Sequence, residues 1–325
     1  MKKHKKIIVW GAKYDTGHTQ AYTFGAFVKA AKYLDEEVYW LDDRDNMDAS
    51  FFDDSLIITE NQIGTRHPVS KNLPLRKSST YMVHCLGNMK MPDRPEPSYY
   101  LGRVGRLIDF RFAQSWSDQL WQYTYEPEKY IPINDGISHL EKGLEYDNFY
   151  SMWATDLMPN EINFEDRHTP WVEPKHAFFT GTIREDNYDQ FEPFIRACKE
   201  NNMSFYYNNV WQNVLSMEQI KKASLDAFLA PDIRPKYHVN NGYVPCRVFK
   251  AISYGQLATT NSRGIYDFFN HEIAFHEDPY EMFFVASNMR NDPKTKDLVL
   301  NQMKIVKEKH THANRVKDII AACEL

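Results

Sequence analysis

Apolar residues fall in short, dense runs along the first part of the chain. KIIVWG (6–11) is apolar and β-branched and is stopped by a glycine, the pattern of a strand buried on both faces. After a polar loop, AYTFGAFVKAAKYL (21–34) spaces Phe24, Phe27, Ala31 and Leu34 at helical intervals. EVYWLDD (37–43) then predicts a second strand. Strand, helix and strand this close together form a βαβ unit, which implies a parallel sheet. SLIITE (55–60), TYMVHCLG (80–87) and RLIDFRF (106–112) are further strands, and the polar, Pro-bearing RHPVSKNLPLRKSS (66–79) predicts a long surface loop.

The periodicity breaks down across residues 158–176, where Pro159, Pro170 and Pro174 fall. Beyond it the alternation restarts: strand HAFFTGT, helix YDQFEPFIRACKENN, strand MSFYY, helix SMEQIKKA and strand LDAFLAPD. A helix from Pro245 to Gly255, another strand and a long helical tail from about Tyr280 follow. The expected fold class is α/β, with two Rossmann-like domains facing across a cleft. Their expected bounds are 1–160 and 175–310, with a helix over 311–325 returning towards the N-terminal domain. No internal repeat or low-complexity tract is visible.

The length of 325 residues suits two domains. A net charge of −5 without a dominant basic face argues against nucleic acid as a partner. Behind the basic MKKHKK, the apolar IIVWGA is too short for a signal or membrane segment, so no integral membrane segment is expected. Cys85, Cys198, Cys246 and Cys323 are widely spaced without a CxxC pair. That points away from a disulfide framework or structural zinc, and towards a reducing, cytoplasmic location.

Candidate chemistry begins in GAKYDTGHTQ (11–20), which leaves the carboxyl end of the first strand, where α/β sheets bind ligands. It is neither GxGxxG nor a Walker A loop, which disfavours a dinucleotide or ATP there. It offers Asp15 and His18, a carboxylate and an imidazole suited to proton transfer or hydroxyl binding, or else a simple helix cap. Asp43-Arg44-Asp45 spells a D-x-D, but it ends a strand and reads better as a solvated turn than as a metal site. In TGTIRED (180–186), Gly181 permits close backbone approach and Arg184 suits phosphate oxygens.

The strongest segment is NNGYVPCRVFKAISYGQLATTNSRGIYDFF (240–269). Val248, Ala251 and Ile252 form an apolar stripe, while Arg247, Lys250 and Tyr254 recur at spacings of three and four on another side. Cations in the first turns of a helix oppose its macrodipole by about 0.3–1 kcal/mol each unless an anion sits opposite. A diphosphate is such an anion.

The same residues resemble the donor-binding segment of GT-B glycosyltransferases, notably the group related to spore-maturation (CgeB-like) glycosyltransferases. The matching positions are Arg247, Val248, Phe249, Ala251, Gly255, Gly264 and Asp267-Phe268-Phe269. HTHANRVKDII (310–320) looks like that group's final helix, and SMWATDLMPNEI (151–162) is similar to a segment of such families. The resemblance covers roughly residues 175–320, and the N-terminal half shares only the layout. Lys250 stands where the group has a ribose-binding Glu, so either a cation adds to diphosphate binding or the site is degenerate.

The resemblance implies a glycosyltransferase that uses a nucleotide sugar, UDP- or GDP-linked, and a glycan or other hydroxyl acceptor, with neither metal nor cofactor. Arg184, Arg247 and Lys250 would hold the diphosphate beside Gly181. Asn240, Asn241 and Tyr243 would contact donor sugar or phosphate, and Thr260, Asn261 and Ser262 would lie near the nucleotide. Asp15 and His18 would face the acceptor, one of them as base in an inverting reaction. A catalytically inactive GT-B-like binding module is the alternative, and an epimerase or dehydrogenase a weaker third.

Overall fold

The computed structural model describes residues 4–14, 19–60, 72–84, 86, 96–112, 130–165, 176–181, 183, 187–208, 215–240 and 244–325. The chain divides into two compact units, Met1–Met152 with His312–Leu325, and Trp153–Thr311. The division falls upstream of the Pro-bearing 158–176 stretch, of which 166–175 lies outside the described residues.

The first unit contains β1 (Lys6–Trp10), α1 (Thr19–Tyr33), β2 (Val38–Leu41), β3 (Ser55–Glu60), β4 (Thr80–His84), α2 (Pro97–Tyr100), β5 (Arg106–Phe112), β6 (Tyr130–Ile133), β7 (Ser138–Glu141) and β8 (Asp147–Ser151). They form one sheet in the order β2-β1-β3-β4-β5-β8-β7-β6. The strands from β2 through β8 in that order run parallel, and β7 and β6 close the sheet as an antiparallel meander. Its centre is apolar on both faces: Ile8, Ile57, Met82 and Ile108 are fully buried, as parallel strands covered by helices require. The apolar runs for β1, β3, β4 and β5 were readable in the sequence. The meander was not, because YIPI, SHLE and DNFYS are short and mixed.

The second unit contains β9 (His176–Thr180), α3 (Tyr188–Glu200), β10 (Ser204–Asn208), α4 (Met217–Asp226), β11 (Ala227–Asp232), α5 (Lys236–Asn240), α6 (Cys246–Ser253), β12 (Leu257–Thr260), α7 (Arg263–Phe268), β13 (Ala274–Phe275), α8 (Pro279–Asn291) and α9 (Lys294–Lys309). Its sheet has the order β10-β9-β11-β12-β13 and is parallel throughout. Two expectations need correction. The strand expected from Leu225 starts at Ala227, because a capping box on Ser216 and Gln219 launches α4, which runs through Asp226. The single helical tail is three helices, interrupted at Asp292-Pro293 and His310-Thr311.

The last of these, α10 (His312–Glu324), belongs to the first unit. Arg315 is wholly buried, and its Nε donates to the Met152 carbonyl at 2.9 Å. Burial pulls its guanidinium down to about 10, against the opposing pull of Asp318, so it stays charged at neutral pH. Asp318 accepts hydrogen bonds from Asn134 and Ser138, both at 2.6 Å. At the far end, Arg106 pairs with Asp147 through Nε at 3.0 Å and donates Nη1 to the carbonyls of Ala322 and Cys323. A cation on the last carbonyls of a helix also favours its macrodipole. Arg106→Ala is expected to lower the stability of the first unit by about 3 kcal/mol, because it removes the donor to two carbonyls and the closest cation of Asp147, which keeps only the longer contacts of Lys142 and the Gly143 amide at 3.4 and 3.3 Å. Arg106→Lys should recover less than half of that, since a lysine lacks the planar fork. Urea melts of the full chain check both.

Candidate functional site

In the second unit, polar residues gather where β9, β11 and β12 end. Asp232, the last residue of β11, is buried, and its Oδ1 accepts from Arg234 Nε at 2.8 Å. The same oxygen lies 3.7 Å from Arg247 Nε. One carboxylate therefore sits between two guanidiniums, and the group keeps a net positive charge. Arg234 is almost fully enclosed, whereas the Arg247 side chain is 25% exposed and forms the accessible end of the cluster.

Backbone zippering holds this cluster in place. Asn261 Oδ1 accepts from the Arg234 amide at 2.8 Å, and its Nδ2 donates to the Arg234 carbonyl at 3.0 Å. Thr260 Oγ1 donates to Asp232 Oδ2 at 3.4 Å and accepts from the Ser262 amide at 3.1 Å. Thr260, Asn261 and Ser262, expected near a nucleotide, thus form a hydrogen-bonded floor that braces Asp232 and Arg234. Gly181 is the close-approach point. A Cβ there would stand 2.7 Å from Phe179 Cζ and 3.2 Å from Arg247 Nη1, so only glycine leaves room for the guanidinium. The Arg247 guanidinium also lies over the Phe179 ring, 4.6 Å from its centroid.

Helix α6 starts after Pro245 with no side-chain cap, and Arg247 is its second residue. The penalty for a cation at this end is offset within the unit by Asp232. Lys250 behaves otherwise than its spacing predicted. It is 4% exposed, and its ammonium lies 3.6 Å from Asp156 Oδ1, so it serves as an internal counter-ion instead of facing a ligand. The reason is that α6 is buried nearly all round, from Val248 to Ser253, and not along one stripe. Asn240 closes α5. Asp15, His18, Arg184, Asn241 and Tyr243 lie outside the described residues. The D-x-D reading resolves as a turn: Asp45 accepts from Lys13, from Tyr14 and from the Asp42 amide.

Sequence reasoning missed Asp232, Arg234, His238 and Asp156. The available signal was Asp-x-Arg at the carboxyl end of an apolar strand, in LAPDIRP (229–235). His238 sits on α5, and burial, then Arg234, hold its imidazole below the ordinary value, with Asp232 opposing and Arg247 adding.

Residues 201–321 match a family model described as glycosyl transferase-like. The matched segment contains Asp232, Arg234, His238, Arg247 and the Thr260–Ser262 floor. Among solved structures, the chain is similar to an α,α-trehalose-phosphate synthase (UDP-forming) from Burkholderia xenovorans in complex with glucose-6-phosphate. That match has 10% identity over 75% of this chain and 72% of that one, at a TM-score of 0.48. A protein described as a UDP-N-acetylglucosamine 2-epimerase from Listeria monocytogenes shows 8% identity over 99% and 96% of the two chains, at 0.46. An α1,3-fucosyltransferase with GDP shows 8% identity over 95% and 92%, at 0.41. Likenesses this distant fix neither reaction nor ligand. No curated protein matches the chain.

Two measurements test this account of the buried charges. Lys250→Ala is expected to lower stability by about 3–5 kcal/mol, since it leaves Asp156 buried without its cation. The double change Lys250→Met with Asp156→Leu should return most of that loss in a denaturant melt. The second is pH dependence. His238, and His139 in the first unit, both have folded values lowered from 6.5 by burial. Below that pH the unfolded chain binds more protons than the folded one. Their contribution is therefore complete above about pH 6.5 and is lost as the pH falls towards the lowered folded values. His238→Gln should flatten that decline between about pH 7 and 5.

Proposed function

We propose that the protein is a glycosyltransferase, moving a sugar from a UDP- or GDP-linked donor to a hydroxyl of a glycan or other acceptor without a metal. The observation that carries this is the Asp232–Arg234–Arg247 cluster at the carboxyl ends of β9, β11 and β12, within the glycosyl transferase-like segment. Breaking the bond between the anomeric carbon and the diphosphate leaves an electron pair, and negative charge, on the departing phosphate oxygen. Arg247 can fork onto that diphosphate while Asp232 remains paired with Arg234. The positive end of the α6 dipole adds to the attraction. The guanidiniums supply positive charge that a divalent ion supplies in other phosphate sites. Lys250 fixes α6 through Asp156, so its departure from the family pattern becomes a structural substitution.

Arg184, Asn240, Asn241 and Tyr243 are close in sequence to these elements and are assigned to donor phosphate and sugar. Asp15 and His18 follow β1 and are assigned to positioning the acceptor. Among the described residues no helix is long and apolar enough to cross a membrane.

Calorimetry and thermal shift with UDP, GDP, ADP and TDP, free and sugar-linked, test the proposal. At least one should bind, and Arg247→Ala should weaken it about tenfold or more, roughly 1.4 kcal/mol. Turnover should survive EDTA. Binding with no turnover of any donor would instead favour an inactive binding module, and no binding at all would remove both readings.

A further inference from the structure

The Asp232–Arg234–Arg247 cluster has beside it a group that changes charge near neutral pH, the imidazole of His238. His238 is half-buried on α5, which starts at Lys236, just past Arg234. Its amide donates to the Pro235 carbonyl at 2.9 Å, so the helix turns directly out of the Arg234 bend that Asn261 clamps. A short, pinned connection thus carries His238 away from the same strand end that supplies Asp232 and Arg234. Every element involved belongs to the second unit.

Three charges from two elements act on the imidazole. Arg234 and Asp232 come from the end of β11 and its turn, and Arg247 comes from α6. Burial holds the imidazole below its ordinary value, both guanidiniums add to that, and Asp232 opposes them. His238 is therefore mostly neutral at pH 7 in the unliganded unit. The other titratable groups of α6 do not compete for this role. Cys246 is kept as a neutral thiol by burial, and Lys250 is paired with Asp156. Lys236, on the same helix as His238, is exposed and screened by solvent.

Two guanidiniums and one carboxylate leave the cluster with a small positive excess, whereas a nucleoside diphosphate brings more than one negative charge. Its arrival reverses the sign of the field at His238, and a nearby anion favours the charged form of an imidazole. We propose that His238 takes up a proton when a nucleoside diphosphate binds at Arg247, and that the imidazolium becomes the third cation of the cluster. The inference rests on the diphosphate reading of this site and adds to it a proton-linked affinity. The proton comes from solvent, and no covalent bond of the ligand forms or breaks. The half-buried setting screens the new attraction less than water would. Because binding takes up a proton, affinity rises as the pH falls, across the window between the lowered unliganded value and the raised liganded one. Departure of the diphosphate returns the proton, so alkaline pH favours dissociation.

The test is calorimetry of the full chain with UDP-glucose, GDP-mannose, UDP and GDP. Runs in PIPES and in Bis-Tris, whose heats of ionisation differ, report the protons exchanged on binding. At about pH 6.5 the wild-type protein should take up at least about 0.3 of a proton more per bound ligand than His238→Gln does. The difference removes any exchange by the ligand itself. The gain in affinity from about pH 8 to about pH 6 should be about threefold or more larger in wild type than in His238→Gln. NMR of histidine-labelled protein, with the His238 signal assigned from the variant, should show its titration midpoint move upwards on saturation with ligand. If His238→Gln fails to fold, His238→Asn is read against the same thresholds. A proton difference below that threshold overturns the role of His238 while leaving diphosphate binding standing. Wild-type protein that binds none of the four compounds overturns both.

Discussion

The second unit is organised around the carboxylate of Asp232. A parallel strand ends there, and the chain must turn, expose backbone groups and bury charge within a few residues. Asp232 meets these demands together by accepting from Arg234 and from Thr260 and by lying beside Arg247. Asn261 then satisfies both backbone groups of Arg234. The turn is fixed without any contribution from ligand. A site built this way is preorganised, so binding energy is not consumed in ordering it.

Asp232 also sets a limit on what the site can hold. It neutralises one of the two guanidiniums, so the cluster presents roughly one net positive charge, most of it through the exposed end of Arg247. A neutral sugar would gain little from that charge. A dianionic or trianionic diphosphate would gain much more, because charge-assisted, forked hydrogen bonds are about twice as strong as neutral ones. Arg234 cannot easily leave Asp232 to join in, because a buried carboxylate without a partner is expensive. In the proposed diphosphate site the preference for an anion over a neutral ligand would rest mainly on Arg247, which lies over Phe179 where Gly181 leaves room for it.

Much of the fold was legible because parallel strands buried on both faces must be continuous apolar runs. KIIVWG, SLIITE and HAFFTGT are such runs, and each begins or contains the observed strand. The β6–β8 meander lacks that constraint, since a strand near the edge tolerates polar residues. The interior of α6 was the sharpest miss. Helical spacing correctly grouped Val248, Ala251 and Ile252, but periodicity assumes one wet face, and α6 has almost none. Whether a lysine on such a helix faces a ligand or a buried carboxylate depends on Asp156, which is distant in sequence. Arg247 was legible as a cation at a helix start. Its partner Asp232 became visible only when the strand end and the helix start were placed side by side.

The carboxyl ends of the strands carry different chemistry in the two sheets, and the difference follows from their residues. In the second sheet the edge is cationic, with guanidiniums and the positive end of the α6 dipole, and it suits an anion. In the first, β3 and β4 end in an acceptor and a proton carrier, Glu60 and His84, set against an aromatic wall. That edge repels a diphosphate, because Glu60 adds negative charge in a poorly screened place.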